Sequence, residues 1–292
     1  MKRKKGRLRF EGMDAILLFV LGLWALAILI PFINVVAISF STQKSYVDTP
    51  LLLWPYDFTL ESYQMLFQDG RIWIGYRTSL QILMMALPLN MLLTTSMAYG
   101  LSRRSFPGKK LLMRLILFTM LFHGGIIPLY LTLKSYGIMG SLWSVVLASG
   151  LNTFYMIIML NFFSALPESL VESARLDGAG EWKILFRIIL PLSKPVLATV
   201  LLYYLVDRWN EWYNAMIFIR DANKTPLQLV LRSIVLESQT LDNVVSETMD
   251  VYSFSMGIKM AAIIVTIVPV MCIYPFLQKY FAKGVMVGAV KA

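Results

Sequence analysis

Residues 15–38 read AILLFVLGLWALAILIPFINVVAI (Ala15–Ile38), with no charged side chain. A helix needs roughly 20 apolar residues to cross about 30 Å of hydrocarbon, so this stretch alone is long enough to span a membrane. Lys2, Arg3, Lys4 and Lys5 precede it, the arrangement of a secretory leader. The apolar run is too long for a leader's core, so it is expected to remain as a first transmembrane helix. Five further tracts have the same character: about 78–101, 111–133, 142–166, 191–219 and 256–278. Backbone groups in lipid must be satisfied within their own segment, which makes these tracts helices. The short alternating strands of a barrel do not give uninterrupted runs of this length. The fold class expected is all-α integral membrane with six transmembrane helices.

Of all residues, 58% are hydrophobic and only 15% charged, against about 25% charged in an average soluble domain. The net charge of +10 would suit nucleic acid if the basic residues formed a patch. They instead flank the apolar tracts, so no nucleic-acid partner is expected. Lys2–Arg9, Arg103–Arg114, Arg175–Lys194 and Lys279–Lys291 lie on one set of flanks. The opposite flanks hold about half as many basic residues, which places both termini in the cytoplasm. The organisation expected is a basic N-terminus (1–14), a six-helix domain (15–278) with a large cytoplasmic loop (166–191), and a tail (279–292). Cys272 is the single cysteine and His123 the single histidine. No internal disulfide or metal-ligand spacing is possible.

Two outer segments are long. Residues 42–77 carry turn-forming Pro50, Pro55, Asp57 and Asp69, with a short helix expected over Leu60–Phe67. Residues 220–255 carry Asp221, Glu237, Asp242, Glu247 and Asp250. Both are expected to fold over the outer mouth. In the cytoplasmic loop, Pro167 suits a helix start, and Glu168 and Glu172 sit near that helix's positive end. Gly178 is placed to close the helix with a left-handed residue. A second amphipathic piece, Glu181–Ile189, is expected to put Trp182, Leu185 and Ile189 on one face, with Pro191 starting the next span. Physics alone leaves open a plain connector lying on the membrane.

Glu172-Ser173-Ala174, three residues, Gly178, nine residues, then Ile188-x-Leu190-Pro191 resembles the EAA loop of binding-protein-dependent ABC importer permeases. Ser173 is a small-for-small departure from the commonest form. The resemblance runs from about Thr78 to the C-terminus and is closest to the carbohydrate branch, including subunits for large oligosaccharides such as alginate fragments. It implies a type I ABC importer permease fold in the bacterial cytoplasmic (inner) membrane. Glu172, Ser173, Ala174, Asp177, Gly178, Ile188, Leu190 and Pro191 would couple to an ATPase. Glu172 would pair with a basic group there, Gly178 would permit the turn, and Ile188, Leu190 and Pro191 would anchor the loop. The partners implied are a second homologous permease in a heterodimer, two cytoplasmic ABC ATPase subunits, an extracytoplasmic solute-binding protein and a carbohydrate substrate.

No G-x-x-x-x-G-K-[ST] loop occurs, and Gly108-Lys109-Lys110 lacks its upstream glycine. ATP and Mg²⁺ are therefore expected on the ATPase subunits, with no cofactor bound by this chain and no enzyme activity of its own. Ionisable residues at membrane depth are costly and mark candidate function. Tyr203, Tyr204, Asp207, Arg208, Trp209, Asn210, Glu211 and Trp212 form one such cluster in the fifth tract. Asp207 and Glu211 are spaced i,i+4, and Arg208 can reach Glu211 at i,i+3. Carboxylates, amides and aromatic rings suit a sugar path; an aromatic belt with snorkelling charges and an internal ion pair is the competing reading. His123 is expected to pack within its span, and Gly124, Gly125 and Pro128 to bend it. A membrane-embedded enzyme of polysaccharide or lipid metabolism would need ordered catalytic acids, and a proton-coupled transporter inverted repeats. Neither pattern is present.

Overall fold

The computed structural model describes residues 12–49, 51–103, 106–244 and 255–289, with backbone alone for 12, 238–244, 255, 274 and 276–289. Lys2–Arg9, Pro50, Arg104, Glu247, Asp250 and Lys291, singled out above, lie outside the described residues, as do the side chains of Asp242, Lys279 and Lys283. Among the described residues the chain is helical, and the sole β pairing is an isolated bridge between Ser41 and Phe58. Two compact units form. One contains residues up to Asp69 with the described part of Ile234–Val265; the other contains Gly70–Ser233 and Thr266 onward.

In the first unit α1 (Gly12–Ser39) is apolar on every side, and its side chains from Met13 to Ile30 are exposed. Such a helix needs an apolar surrounding. The chain then folds back on the end of α1 through α2 (Gln43–Asp48) and α3 (Glu61–Gln68), the latter within a residue of the expected position. The Asn34 amide donates to the Leu52 carbonyl at 2.8 Å, and the Thr59 N–H donates to the Phe40 carbonyl at 2.9 Å. Phe40 stacks on Phe58 with centroids 5.4 Å apart.

The second unit is built on α4 (Gly70–Ser102), α8 (Thr153–Ser164) and α12 (Lys194–Trp209), which pack on one another. Between them run α5 (Lys109–Leu121), α6 (Ile126–Ser135) and α7 (Leu142–Ala148). Next come α9 (Glu168–Leu176) and α10 (Glu181–Ile184), the latter continuing through a π turn (Leu185–Ile189) into α11 (Leu190–Leu192). After α12 follow α13 (Tyr213–Phe218), α14 (Leu227–Val244) and α15 (Ser255–Ala289). The core joins Ala98 and Tyr99 of α4 and Met156, Met159, Leu160 and Phe163 of α8 to Val196, Val200 and Tyr204 of α12.

Among the described residues, three helices are long and apolar enough to cross a membrane unbroken: Met13–Ser39, Gly70–Ser102 and Met256–Ile273. The other three expected spans are bent pairs, so the candidate spans number three, or up to six if each pair is one span. The third tract turns by 112° between α5 and α6, where Gly125 has φ 83°, as the Gly124, Gly125 and Pro128 pattern foretold. His123 lies in that break and is exposed, not packed as expected, because the bend carries it off both helices. The fourth tract bends by 54° between α7 and α8.

The fifth departs most from expectation. Its long helix starts at Lys194, not at Pro191, with an 85° bend before it. Pro195 is the cause: it has no N–H for the carbonyl four residues back, and its ring crowds that carbonyl. The helix then ends at Trp209 instead of running on to Ile219.

Gly75 fixes how close α4 comes to the start of α14, since a Cβ there would lie 2.9 Å from the Leu227 Cα. Gly75→Ala is expected to lower the apparent Tm of the detergent-purified protein by the equivalent of about 1–3 kcal/mol of overpacking. Gly100→Ala, in the same helix with nothing within 4 Å of the added atom, is expected to leave Tm unchanged or raise it.

Candidate functional site

The loop carrying Glu172 to Pro191 is a helical knob with a buried root and a bare tip. On α9, Val171 and Ala174 enter the core while Glu172, Ser173, Asp177 and Gly178 stay exposed. Gly178 adopts φ 75°. Its N–H donates to the Arg175 carbonyl at 3.0 Å, and the Ala179 N–H donates to the Ala174 carbonyl at 2.9 Å. This is the double hydrogen bond of a Schellman ending, which needs a left-handed residue and favours glycine. The return helix buries Ile184, Leu185 and Ile189, with Ile188 and Leu190 packed against the same core. Pro191 is exposed. Trp182 departs from the expected shared face: it is 65% exposed and stacks on Phe186, because Ile184 takes the inward position.

A polar latch that the sequence did not reveal ties this knob to α4. Glu181 Oε1 accepts from Arg175 Nε at 2.9 Å and Nη2 at 2.7 Å, while Oε2 accepts from the Tyr99 hydroxyl at 2.6 Å. The Arg103 guanidinium lies 4.1 Å from the centroid of the Tyr99 ring. The hydrogen bond to Glu181 raises the Arg175 pKa above its usual value. Opposite charges flanking a glycine turn hint at the Arg175–Glu181 pair, but Tyr99 is 82 residues from Glu181, and no local pattern connects them.

The second constellation surrounds a cavity of ≈ 330 Å³ beyond the end of α12. Of the eight residues singled out there, Tyr204, Asp207, Arg208, Asn210, Glu211 and Trp212 line it, together with Ser149, Leu151, Asn152 and Tyr213. Tyr203 and Trp209 do not. Tyr203 packs on Tyr155, and Trp209 is buried with its indole N–H donating to the Thr266 carbonyl at 3.1 Å.

Most of the polar groups are engaged within the protein. Arg208 is 4% exposed. It donates to Asn90 Oδ1 at 3.2 Å and to the Ser149 carbonyl, and it pairs with Glu211 at 3.6 Å, the expected i,i+3 contact. Asn90 donates to the carbonyls of Ser149 and Gly150. Glu211 accepts from the Asn214 backbone N–H at 3.1 Å and its amide at 3.0 Å. The Tyr204 hydroxyl accepts from the Asn152 N–H at 3.0 Å and meets Thr94 Oγ1 at 2.7 Å. These side chains thereby satisfy backbone groups freed where α7 gives way to α8 and where α12 gives way to α13. Asp207 lies apart from this network. Exposed on the wall, it accepts from the Tyr155 hydroxyl at 2.8 Å.

The family model of the binding-protein-dependent transport system inner membrane component matches residues 6–287, and the chain belongs to that family. It is 40% identical over 287 residues to a polygalacturonan/rhamnogalacturonan transport system permease protein of Bacillus subtilis (strain 168), covering 95% of this chain and 98% of that one. It is 28% identical over 284 residues to a diacetylchitobiose uptake system permease protein of Streptomyces coelicolor, covering 96% and 89%. Among solved structures, a bacterial ABC transporter involved in the import of the acidic polysaccharide alginate matches with TM-score 0.82 and 29% identity, over 94% of this chain and 100% of that one.

Arg208→Ala would leave the buried Glu211 carboxylate without its cation, a loss of about 3–5 kcal/mol for a broken buried pair. A marked fall in apparent Tm is expected, whereas Asp207→Asn, at an exposed site, should stay within about 0.5 kcal/mol. Thermal unfolding of both purified variants checks this.

Proposed function

We propose that this chain is a permease subunit of an ATP-driven importer for carbohydrate oligomers. Family membership and relatives that handle pectic polymers, diacetylchitobiose and alginate support the carbohydrate reading. The mechanism is alternating access, with six spans, each bent pair counted as one, and both termini in the cytoplasm. A second, homologous permease completes the path as a heterodimer, a solute-binding protein delivers substrate outside, and two ATPase subunits bind ATP and Mg²⁺ inside.

The observation that carries the coupling role is the knob's division into root and tip. Val171, Ala174, Ile184, Leu185 and Ile189 are buried, while Glu172, Ser173, Asp177 and Gly178 present an exposed surface at a turn with open space around it. A short helix held in a partner's groove passes on rigid-body motion when that groove closes. Tyr99, Arg175 and Glu181 carry the motion into α4, and Ile188, Leu190 and Pro191 carry it toward α12. At the other end of α12, Tyr204, Asp207, Arg208, Asn210, Glu211 and Trp212 form a wall of the sugar path, with Tyr203 and Trp209 behind it.

Expression beside neighbouring reading frames is expected to yield a complex with a Walker-motif ATPase whose turnover rises with a glycan and its binding protein. Gly178→Arg or Glu172→Lys should reduce uptake to background while membrane levels stay normal. Normal uptake by either variant refutes the coupling assignment, and a stable lone protein without an ATPase refutes the importer.

A further inference from the structure

Which group on this wall can recognise a charged sugar follows from the cations beside the cavity. Arg208 is buried, paired with Glu211 and bonded to Asn90 and Ser149, so it has no free edge for a ligand anion. Lys224 pairs with Asp221 at 3.5 Å. Arg232 differs. It lies on α14 one turn beyond Gln228, and the two side chains share a helix face. Gln228 donates to Asn210 Oδ1 at 3.0 Å, and the Arg232 guanidinium lies 4.7 Å from the centroid of the Trp212 ring. Asn210 and Trp212 both line the cavity. The start of α14, from Gln228 to Arg232, therefore lies at its rim. Arg232 is exposed, it donates to the Met216 sulfur, and among the described residues no carboxylate pairs with it.

A guanidinium held over an indole ring keeps its charge while losing rotational freedom, which pre-organises it for an anion. Carboxylate is the anion its fork fits bidentately. On the wall itself, Asp207 accepts one hydrogen bond from Tyr155 and has a second oxygen available for sugar hydroxyls. The cavity thus offers acceptors for hydroxyls, an aromatic ring and, at its rim, the Arg232 cation, which has no carboxylate partner among the described residues. We propose that Arg232, braced by Trp212, is the specificity-determining residue that reads the carboxylate of a uronic acid unit in the carbohydrate path. This rests on the carbohydrate-importer reading above and deepens it.

The test uses the full complex in proteoliposomes with its binding protein, and measures uptake of trigalacturonate and of its carboxyl-reduced, neutral counterpart. For Arg232→Gln the acidic-to-neutral uptake ratio is expected to fall about tenfold relative to the unaltered complex, the size of one lost charge-assisted hydrogen bond. Arg232→Lys should recover part of the ratio by restoring the charge without the fork. Because one binding protein serves every variant, its own preference cancels. An unchanged ratio overturns the proposal. So does an equal fall for both oligomers, which would mean that Arg232 only steadies Trp212 or a docking surface. Uptake of the neutral oligomer alone by the unaltered complex overturns the uronate role and leaves the importer standing. Uptake of neither overturns the uronate role, while the carbohydrate reading stands or falls with the glycan-stimulated ATPase turnover described above.

Discussion

In an apolar surrounding, every helix break frees N–H and C=O groups that water cannot reach, and each must find a protein partner. The second unit is organised around two such breaks. At residues 149–152, the carbonyls of Ser149 and Gly150 accept from Arg208 and Asn90, and Asn152 caps α8 by accepting from the N–H groups of Phe154 and Tyr155. At residues 210–213, Glu211 does the same for Asn214. Because Arg208 and Glu211 are also each other's counter-ions, one buried pair ties α12, α4 and the α7–α8 turn together. An isolated buried pair is weak support for stability; this one also satisfies backbone that would otherwise be bare.

This double use explains where the sequence could and could not be read. The long apolar tracts of α1, α4 and α15 were legible because length and hydropathy decide them, and α3 was legible from its flanking turn residues. The break after α5 was legible from Gly124, Gly125 and Pro128. The 85° bend at Ser193 was not, because Pro191 and Pro195 are both compatible with a helix start, and only the packing of Ile184, Leu185 and Ile189 shows that helix continues past Pro191. The end of α12 at Trp209 was hidden for a similar reason. No breaker residue stands there, and the partners that make a break tolerable, Asn90 and Ser149, come from elsewhere in the chain.

The same holds for function. The turn at Gly178 is a local motif, so its geometry could be anticipated from spacing. The latch of Tyr99 on Glu181 is a long-range contact and could not. Around Arg208, the residue types of a sugar site and those that mend broken helices are identical: amides, a guanidinium, a carboxylate and hydroxyls. Composition singled out the cluster, six of whose residues line one cavity, but could not show that Arg208 and Glu211 are buried and paired within the fold while Asp207 is exposed. Arg232 escaped notice because it sits in an amphipathic helix outside the apolar tracts.

That separation has an evolutionary consequence. If the cavity wall forms the sugar path proposed above, positions that hold the scaffold and positions that meet the cargo alternate along a few residues of one chain segment and answer to different constraints. On that reading, exchanging Asp207, Trp212 or Arg232 retunes what passes without dismantling the joints beneath. A lineage of such subunits can diversify its diet by exchanging surface groups on an unaltered frame.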